Sequence, residues 1–506
     1  MRKTVFIKNA AILTASSLIL RFAGIIFKVW LAAKIGAEGI GLYQLVFSLY
    51  VFVSTFATSG ISTAVTRLVS EELVVGNKSG VKQIVLRCTE LSIAIAIISI
   101  AALFFGGDII ATQILKDARA ALSIKILGFS LPFMAVSSCA KGYFLACRKA
   151  SPASSAQLIE QSVRIGTIML LLLRFDNMGL EYSCAAVLMG DTIAEGVACF
   201  YVYLRYKFDF KKLTISTPVT RKNLKITRAV THIALPITAG RYLNSALRMI
   251  ENILVPICLS ATSSNNGISL FGMIKGMALP LLFFPSTLLS ALSTLLIPEM
   301  SDAAVRGRFG VVRSISYKII KITSLIGLLF SALFLVIGNQ LGMLIYSDRD
   351  VGFLLCALSP VVPFMYLDAV ADGILKGLDQ QKFTFYTSVS DSAVRILLIL
   401  LCVSKWGIWG FIGIMYLSNF ATCILNARRL IKISGLKIEF TSMFLLPFCC
   451  AFTLALGIST AVRIFFTMPA IVYIILVCTV CSALYILCLY MLGIVDRDDM
   501  RFLTRK

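Results

Sequence analysis

Arg21 and Lys28 lie seven residues apart inside an apolar segment, and Arg241 and Arg248 repeat that spacing inside another, 220 positions later. Seven residues is two helical turns, so each pair projects from one face of its helix. The apolar segment that follows each of these adds Arg67 and Lys275 in turn, and the four segments together hold one acid, Glu251. A Lys or Arg at the centre of a bilayer costs about 2.5–3.5 kcal/mol on insertion scales, so six facing lipid would cost roughly 15–20 kcal/mol. A hydrated interior is the lower-energy arrangement, and a cationic interior binds anions. Guanidinium forks suit phosphate because two parallel N–H groups meet two oxygens. Asn244, three residues after Arg241, adds a neutral donor, and Glu251, three beyond Arg248, is placed to hold that arginine. Arg67, near the inner end of its helix, and Lys275 have the alternative of snorkelling to the surface.

Other charged residues come in matched sets. Glu160 with Arg164, and Asp391 with Arg395, are i, i+4 pairs that favour an ion pair within one helix, and they read as a structural or gating clasp. Asp191 with Glu195, and Asp368 with Asp372, are acids one turn apart. Such pairs suit a coupling cation or proton, or act as counter-charges to nearby basic groups. The fourteen cysteines fall mostly inside apolar runs and read as small core hydrophobes. With a single histidine, His232, and no zinc-type spacing or nucleophile triad, the sequence calls for no metal, no cofactor and no enzyme. Pro236, Pro256, Pro280, Pro285 and Pro298 concentrate in two segments, where missing amide donors permit bending.

The elements that must position these residues are membrane helices. The chain of 506 residues is 58% hydrophobic and 14% charged, with a mean hydropathy of +0.90. This is an all-α polytopic membrane protein. Fourteen apolar spans are read at 9–33, 40–68, 84–105, 121–146, 154–173, 183–205, 229–259, 268–297, 315–338, 352–375, 383–403, 406–427, 442–465 and 469–494. The opening resembles a signal peptide, but Arg21 interrupts the apolar run and no cleavage site follows, so the first span is read as retained. The net charge of +23 is concentrated in alternate loops, which puts both termini in the cytoplasm and makes anionic lipid, not nucleic acid, the basic loops' partner.

An internal repeat organises the spans. Gly39-Ile40-Gly41-Leu42-Tyr43 matches Gly267-Ile268-Ser269-Leu270-Phe271, and Glu71 matches Glu299. Leu131-Pro132-Phe133-Met134 matches Val362-Pro363-Phe364-Met365, Gly142 matches Gly373, and Glu160 to Arg164 matches Asp391 to Arg395. Six helices per copy give both copies the same orientation, so the repeats are parallel and a substrate site between them is expected. The domains expected are an N-terminal lobe at 1–206, a basic linker at 207–228, a C-terminal lobe at 229–432, and two further helices with a tail at 433–506.

Asn9-Ala10-Ala11-Ile12-Leu13, Arg21-Phe22-Ala23-Gly24, Ala33-Lys34-Ile35-Gly36, Gly39 to Gln44, and Gln157 with Glu160-Gln161 and Arg164 carry a family likeness. With the two-times-six-plus-two pattern, they make the chain resemble the polysaccharide-exporter branch of the multidrug/oligosaccharidyl-lipid/polysaccharide transporter superfamily. The resemblance implies two six-helix bundles in a V that opens alternately to each side. It implies a head-group cavity among helices one, two, seven and eight, and a groove for a polyprenyl tail on helices thirteen and fourteen. On that likeness Arg21, Arg241 and Arg248 would be ligands of a pyrophosphate head group, with Lys28, Arg67 and Lys275 less closely matched. The expected function is a monomeric flippase for a lipid-linked anionic glycan, a peptidoglycan precursor such as lipid II, in a bacterial cytoplasmic membrane, with sporulation as one setting. The alternatives are an organic-cation antiporter, which should have a carboxylate-rich cavity, and a glycan-transferring membrane enzyme, which should have a base and a large outer loop.

Overall fold

No proline occurs in the first 75 residues, and they form one long helix with a single break. The computed structural model describes residues 2–175, 178–211, 223–262, 267–287, 289, 300–436, 439–465 and 468–495, without the side chains of 2–18, Arg21, Ser59, 223–225 and 465. The Arg21 side chain, linker residues 212–222, Pro298, Glu299 and the end of the tail therefore lie outside the described residues. The helices are α1 (Arg2–Val75), α2 (Lys78–Ile109), α3 (Ala120–Gly128), α4 (Leu131–Ala146), α5 (Ser151–Phe175), α6 (Leu180–Lys211), α7 (Asn223–Thr262) and α8 (Gly267–Phe271). They continue as α9 (Leu279–Phe283), α10 (Phe309–Tyr346), α11 (Arg349–Leu358), α12 (Val362–Gly377), α13 (Gln381–Leu398), α14 (Ser404–Ser434), α15 (Leu446–Phe465) and α16 (Ala470–Met491). Among the described residues there is no strand.

The break in α1 is Gly36, at φ 70° and ψ 178°, a conformation confined in practice to glycine. From Phe22 to Val75 the helix runs 54 residues. That is roughly 80 Å of helix against a hydrocarbon core of about 30 Å, and with α1 starting at Arg2 the parts before and after Gly36 are each long enough for a crossing. The stretch Gln381–Ser434, also 54 residues, breaks in the same way at Gly407, φ 56°. Among the described residues ten helices are long and apolar enough to cross a membrane, or eleven when α3 and α4, bent by 42°, count as one. With the two double crossings and the shorter apolar helix Gly267–Phe283, the described helices are compatible with fourteen spans. Gly36→Ala is expected to cost about 1–3 kcal/mol of backbone strain, read as a lowered Tm of the purified protein. A Tm equal to that of the parent would show that the break tolerates a β-carbon.

The matched Leu-Pro-Phe-Met and Val-Pro-Phe-Met motifs do the same job in each half. Pro132 sits in the first turn of α4 after the bend from α3, and Pro363 sits in the first turn of α12 after the 3-10 turn Ser359–Val361. A proline is tolerated there because a first-turn amide has no helical partner to lose. The 3-10 turn before α12 leaves carbonyls that hydrocarbon cannot solvate, and hydroxyls meet them. Ser331 donates to the Ser359 carbonyl at 2.8 Å and Tyr416 to that of Ala357 at 2.7 Å.

Packing divides the chain into two compact units, residues 1–272 and 273–506. In the first, Val65, Val69, Ile84, Cys88, Tyr143 and Phe144 form a core that also takes in Ile226, Val230 and Ala234 of α7. The packing boundary thus falls after the repeat boundary at 229, because α7 packs on α1 and α2 and α8 packs on α1. Gly41 and Gly272 let α1 and the segment after α8 cross at backbone contact. A β-carbon on Gly272 would collide with the Ala37 carbonyl and the Gly41 amide, and one on Gly41 with the Ile268 carbonyl. In the second unit α15 and α16 pack on α10 through Ala332, Leu333, Ile337, Ala455, Val477 and Tyr485. Arg463 stacks over the Tyr473 ring at 5.6 Å, which ties α15 to α16.

Candidate functional site

Within the first unit, α1 and α7 are pinned together and then part to leave a cavity of about 480 Å³. The α7 wall is Arg241, Asn244, Ser245, Arg248, Met249 and Asn252, and the α1 wall is Gln44, Phe47, Ser48, Val51, Thr55 and Thr58. Steps of one, three and four residues place each set on a single helical face. The walls are pinned by Tyr242, whose ring lies 4.5 Å from that of Phe52 and 3.9 Å from that of Phe56, and by the Thr55–Ser245 hydroxyl contact at 3.2 Å. The volume falls in the range of small-ligand sites, roughly 300–1,000 Å³.

Arg241, Asn244 and Arg248 are brought together here, and both arginines are exposed. The other sequence candidates are placed elsewhere. Lys28 is half-buried on α1 before the Gly36 break and does not line the cavity. Arg67 lies near the far end of α1, its side chain 67% exposed, where it pairs with Glu71 at 3.2 Å and does not line this cavity. Lys275 belongs to the π-helical segment Gly272–Ala278, in the second compact unit. Glu251 is buried at 4% exposure and is also absent from the cavity walls.

The acid–base pairs form a separate network. Arg164 donates to Glu160 at 2.8 Å and to Gln161 at 3.0 Å. Its Nε lies 2.8 Å from Asp191 on α6, joining α5 to α6. Tyr43 donates to the other Asp191 oxygen at 3.5 Å, which brings in α1 next to the cavity residue Gln44. Lys141 on α4 stands 3.9 Å from Glu160. In the second unit Arg395 donates to Asp391 at 2.8 Å, and Ser418 donates to the same carboxylate at 2.5 Å. Asn426 donates to Asp368 at 2.8 Å, and Lys376 to Asp372 at 2.5 Å. Three of the four acids read as possible coupling sites therefore carry a specific donor.

Sequence reasoning missed Gln44, Ser48, Thr55 and Thr58. Their signal was present as a polar stripe at helical spacing in the second span, without charge to draw attention to it. The tie from Arg164 to Asp191 was also missed, because i, i+4 arithmetic sees only one helix at a time.

A multi-pass helical membrane protein with a buried-pair network beside an arginine-lined cavity is the class that the fold and site define. The chain belongs to the polysaccharide biosynthesis protein family, whose model matches residues 6–304. It is 23% identical to stage V sporulation protein B of Bacillus subtilis (strain 168), over 99% of this chain and 98% of that one. It is 20% identical to the lipid II flippase MurJ of the same organism, over 97% of this chain and 96% of the relative. The fold is similar to that of lipid II flippase MurJ in an inward closed conformation, with a TM-score of 0.69 and 14% identity, over 94% of this chain and 98% of that one. The polysaccharide branch to which the sequence motifs point agrees with this family assignment.

Proposed function

We propose that this protein is a flippase that moves an undecaprenyl-pyrophosphate-linked saccharide from the inner to the outer leaflet of a bacterial cytoplasmic membrane by alternating access. The cargo is a peptidoglycan precursor of the lipid II type, with the spore cortex as one setting. The carrying observation is that Arg241 and Arg248 share one face of α7 and line a cavity whose walls hold no carboxylate. Likeness to a lipid II flippase and to a sporulation protein supports the choice of cargo and setting. A carboxylate-free wall disfavours an organic cation as cargo. The protein acts as a monomer with both termini in the cytoplasm, and it moves its cargo without making or breaking a covalent bond.

The pyrophosphate oxygens bind at the two guanidinium groups while the prenyl tail stays in lipid. An inside-negative potential favours outward movement of the anion by about 2.3 kcal/mol per charge per 100 mV. The test is leaflet exchange of lipid II, set beside an unrelated prenyl-linked glycan, in proteoliposomes containing the parent or cavity variants.

A coupling cation or proton acts at Glu195. It is 9% exposed on α6, one turn after Asp191. Of the four paired acids it alone makes no ion pair or hydrogen bond among the described residues, whereas Asp191, Asp368 and Asp372 each have a donor. Glu195→Gln is expected to remove the response of exchange to an imposed proton or cation gradient. An undiminished response in that variant would place coupling elsewhere.

A further inference from the structure

We infer that the α1 wall of the cavity is a hydrogen-bond acceptor surface for sugar hydroxyl groups, so that the head group is held in one orientation between an accepting wall and a donating wall. The inference rests on the proposed function and assigns a role to the half of the site that carries no arginine.

A hydroxyl group has one proton to donate and two lone pairs to accept with. On α1 all three protons are committed to the helix's own carbonyls. Ser48 donates to Leu45 at 2.7 Å, Thr55 to Val51 at 2.7 Å and Thr58 to Ser54 at 2.8 Å. Because the Thr55 proton is spent, the 3.2 Å contact with Ser245 has Ser245 as the donor, so that proton is spent as well. The hydroxyl oxygens lining the cavity therefore offer lone pairs. The α7 wall is richer in donors, since Arg241 and Arg248 each carry five N–H groups and no acceptor, whereas the amides of Asn244 and Asn252, like that of Gln44 at one end of the α1 wall, can both donate and accept.

An ionised phosphate has only acceptors, so lone pairs on α1 repel it and the guanidinium groups take it. A sugar hydroxyl brings a proton that Ser48 and Thr58 are prepared to receive. These two positions are ten residues apart, or about 15 Å along the helix axis, which gives the acceptor wall reach beyond a single sugar ring. A ligand that is both anionic and polyhydroxylic fits this pair of walls, and it fits with the phosphates toward α7 and the saccharide toward α1.

The experiment compares binding of lipid II with binding of undecaprenyl pyrophosphate carrying no sugar, for the full-length protein in nanodiscs. Replacing both hydroxyls, Ser48→Ala with Thr58→Val, is expected to lower the ratio of lipid II affinity to undecaprenyl pyrophosphate affinity about tenfold. Each single variant should lower it about threefold, which keeps the test open if the double variant does not fold. Restoring a hydroxyl with Thr58→Ser should recover the share of the ratio lost by Thr58→Val. An unchanged ratio would overturn the acceptor wall, as would failure of the serine to restore it. Arg241→Ala with Arg248→Ala should weaken both ligands alike. If that variant bound both as the parent does, the anion site would fall, while the ratio measured for the α1 variants would still judge the sugar wall separately.

Discussion

Arg241→Ala combined with Arg248→Ala is expected to slow leaflet exchange of lipid II by about a hundredfold or more. A hydrogen bond to a charged group contributes roughly 1.5–3 kcal/mol, so losing one from each guanidinium removes about 3–6 kcal/mol, two to four decades of affinity. Both side chains are exposed within the cavity, and neither contributes to the buried core of the first unit. The double variant should therefore keep the folded core, and its loss should appear in transport by protein that a melting curve shows to be folded. Lysine at both positions keeps the charge but loses the fork, and should recover only part of the rate. The measurement is the fraction of reconstituted lipid II whose head group becomes accessible to an impermeant reagent over time. A parent-like rate from a folded alanine variant would remove the anion cavity from the mechanism.

Arg164→Ala should act on the fold itself. Its guanidinium neutralises Glu160 and Asp191, whose side chains are 16% and 8% exposed, and it is itself only 25% exposed. Removing one partner from a buried ion pair costs about 3–5 kcal/mol, because the other charge is left without compensation. The expected result is a marked fall in Tm and in the yield of monodisperse protein. Adding Asp191→Asn removes one of the stranded charges and should return part of the loss, which a double-mutant cycle would read directly. If the two substitutions were simply additive, Arg164 and Asp191 would not be energetically coupled.

The membrane helices were legible because a run of about twenty apolar residues matches the thickness of the hydrocarbon core and is too long for most buried core helices. The repeat was legible through Pro132 and Pro363, which open α4 and α12 at the first turn in each half. Arg241 and Arg248 stood out because charge is expensive in an apolar run. Ser48, Thr55 and Thr58 did not, since a hydroxyl that bonds its own helix carbonyl is inexpensive and common in such helices. Nor does periodicity separate a cavity arginine from one at a helix end, and Arg67 differs from Arg241 only in where α1 stops. The glycine break at 36 was equally hidden, because the same glycine inside a continuous helix would read no differently.

That break bears on how the protein enters the bilayer during synthesis. At Gly36, and again at Gly407, two crossings follow one another with a single non-helical residue between them. Such a joint leaves no hydrophilic stretch long enough to wait in an aqueous channel while the next helix emerges. Two apolar segments joined so closely are expected to enter lipid as a pair.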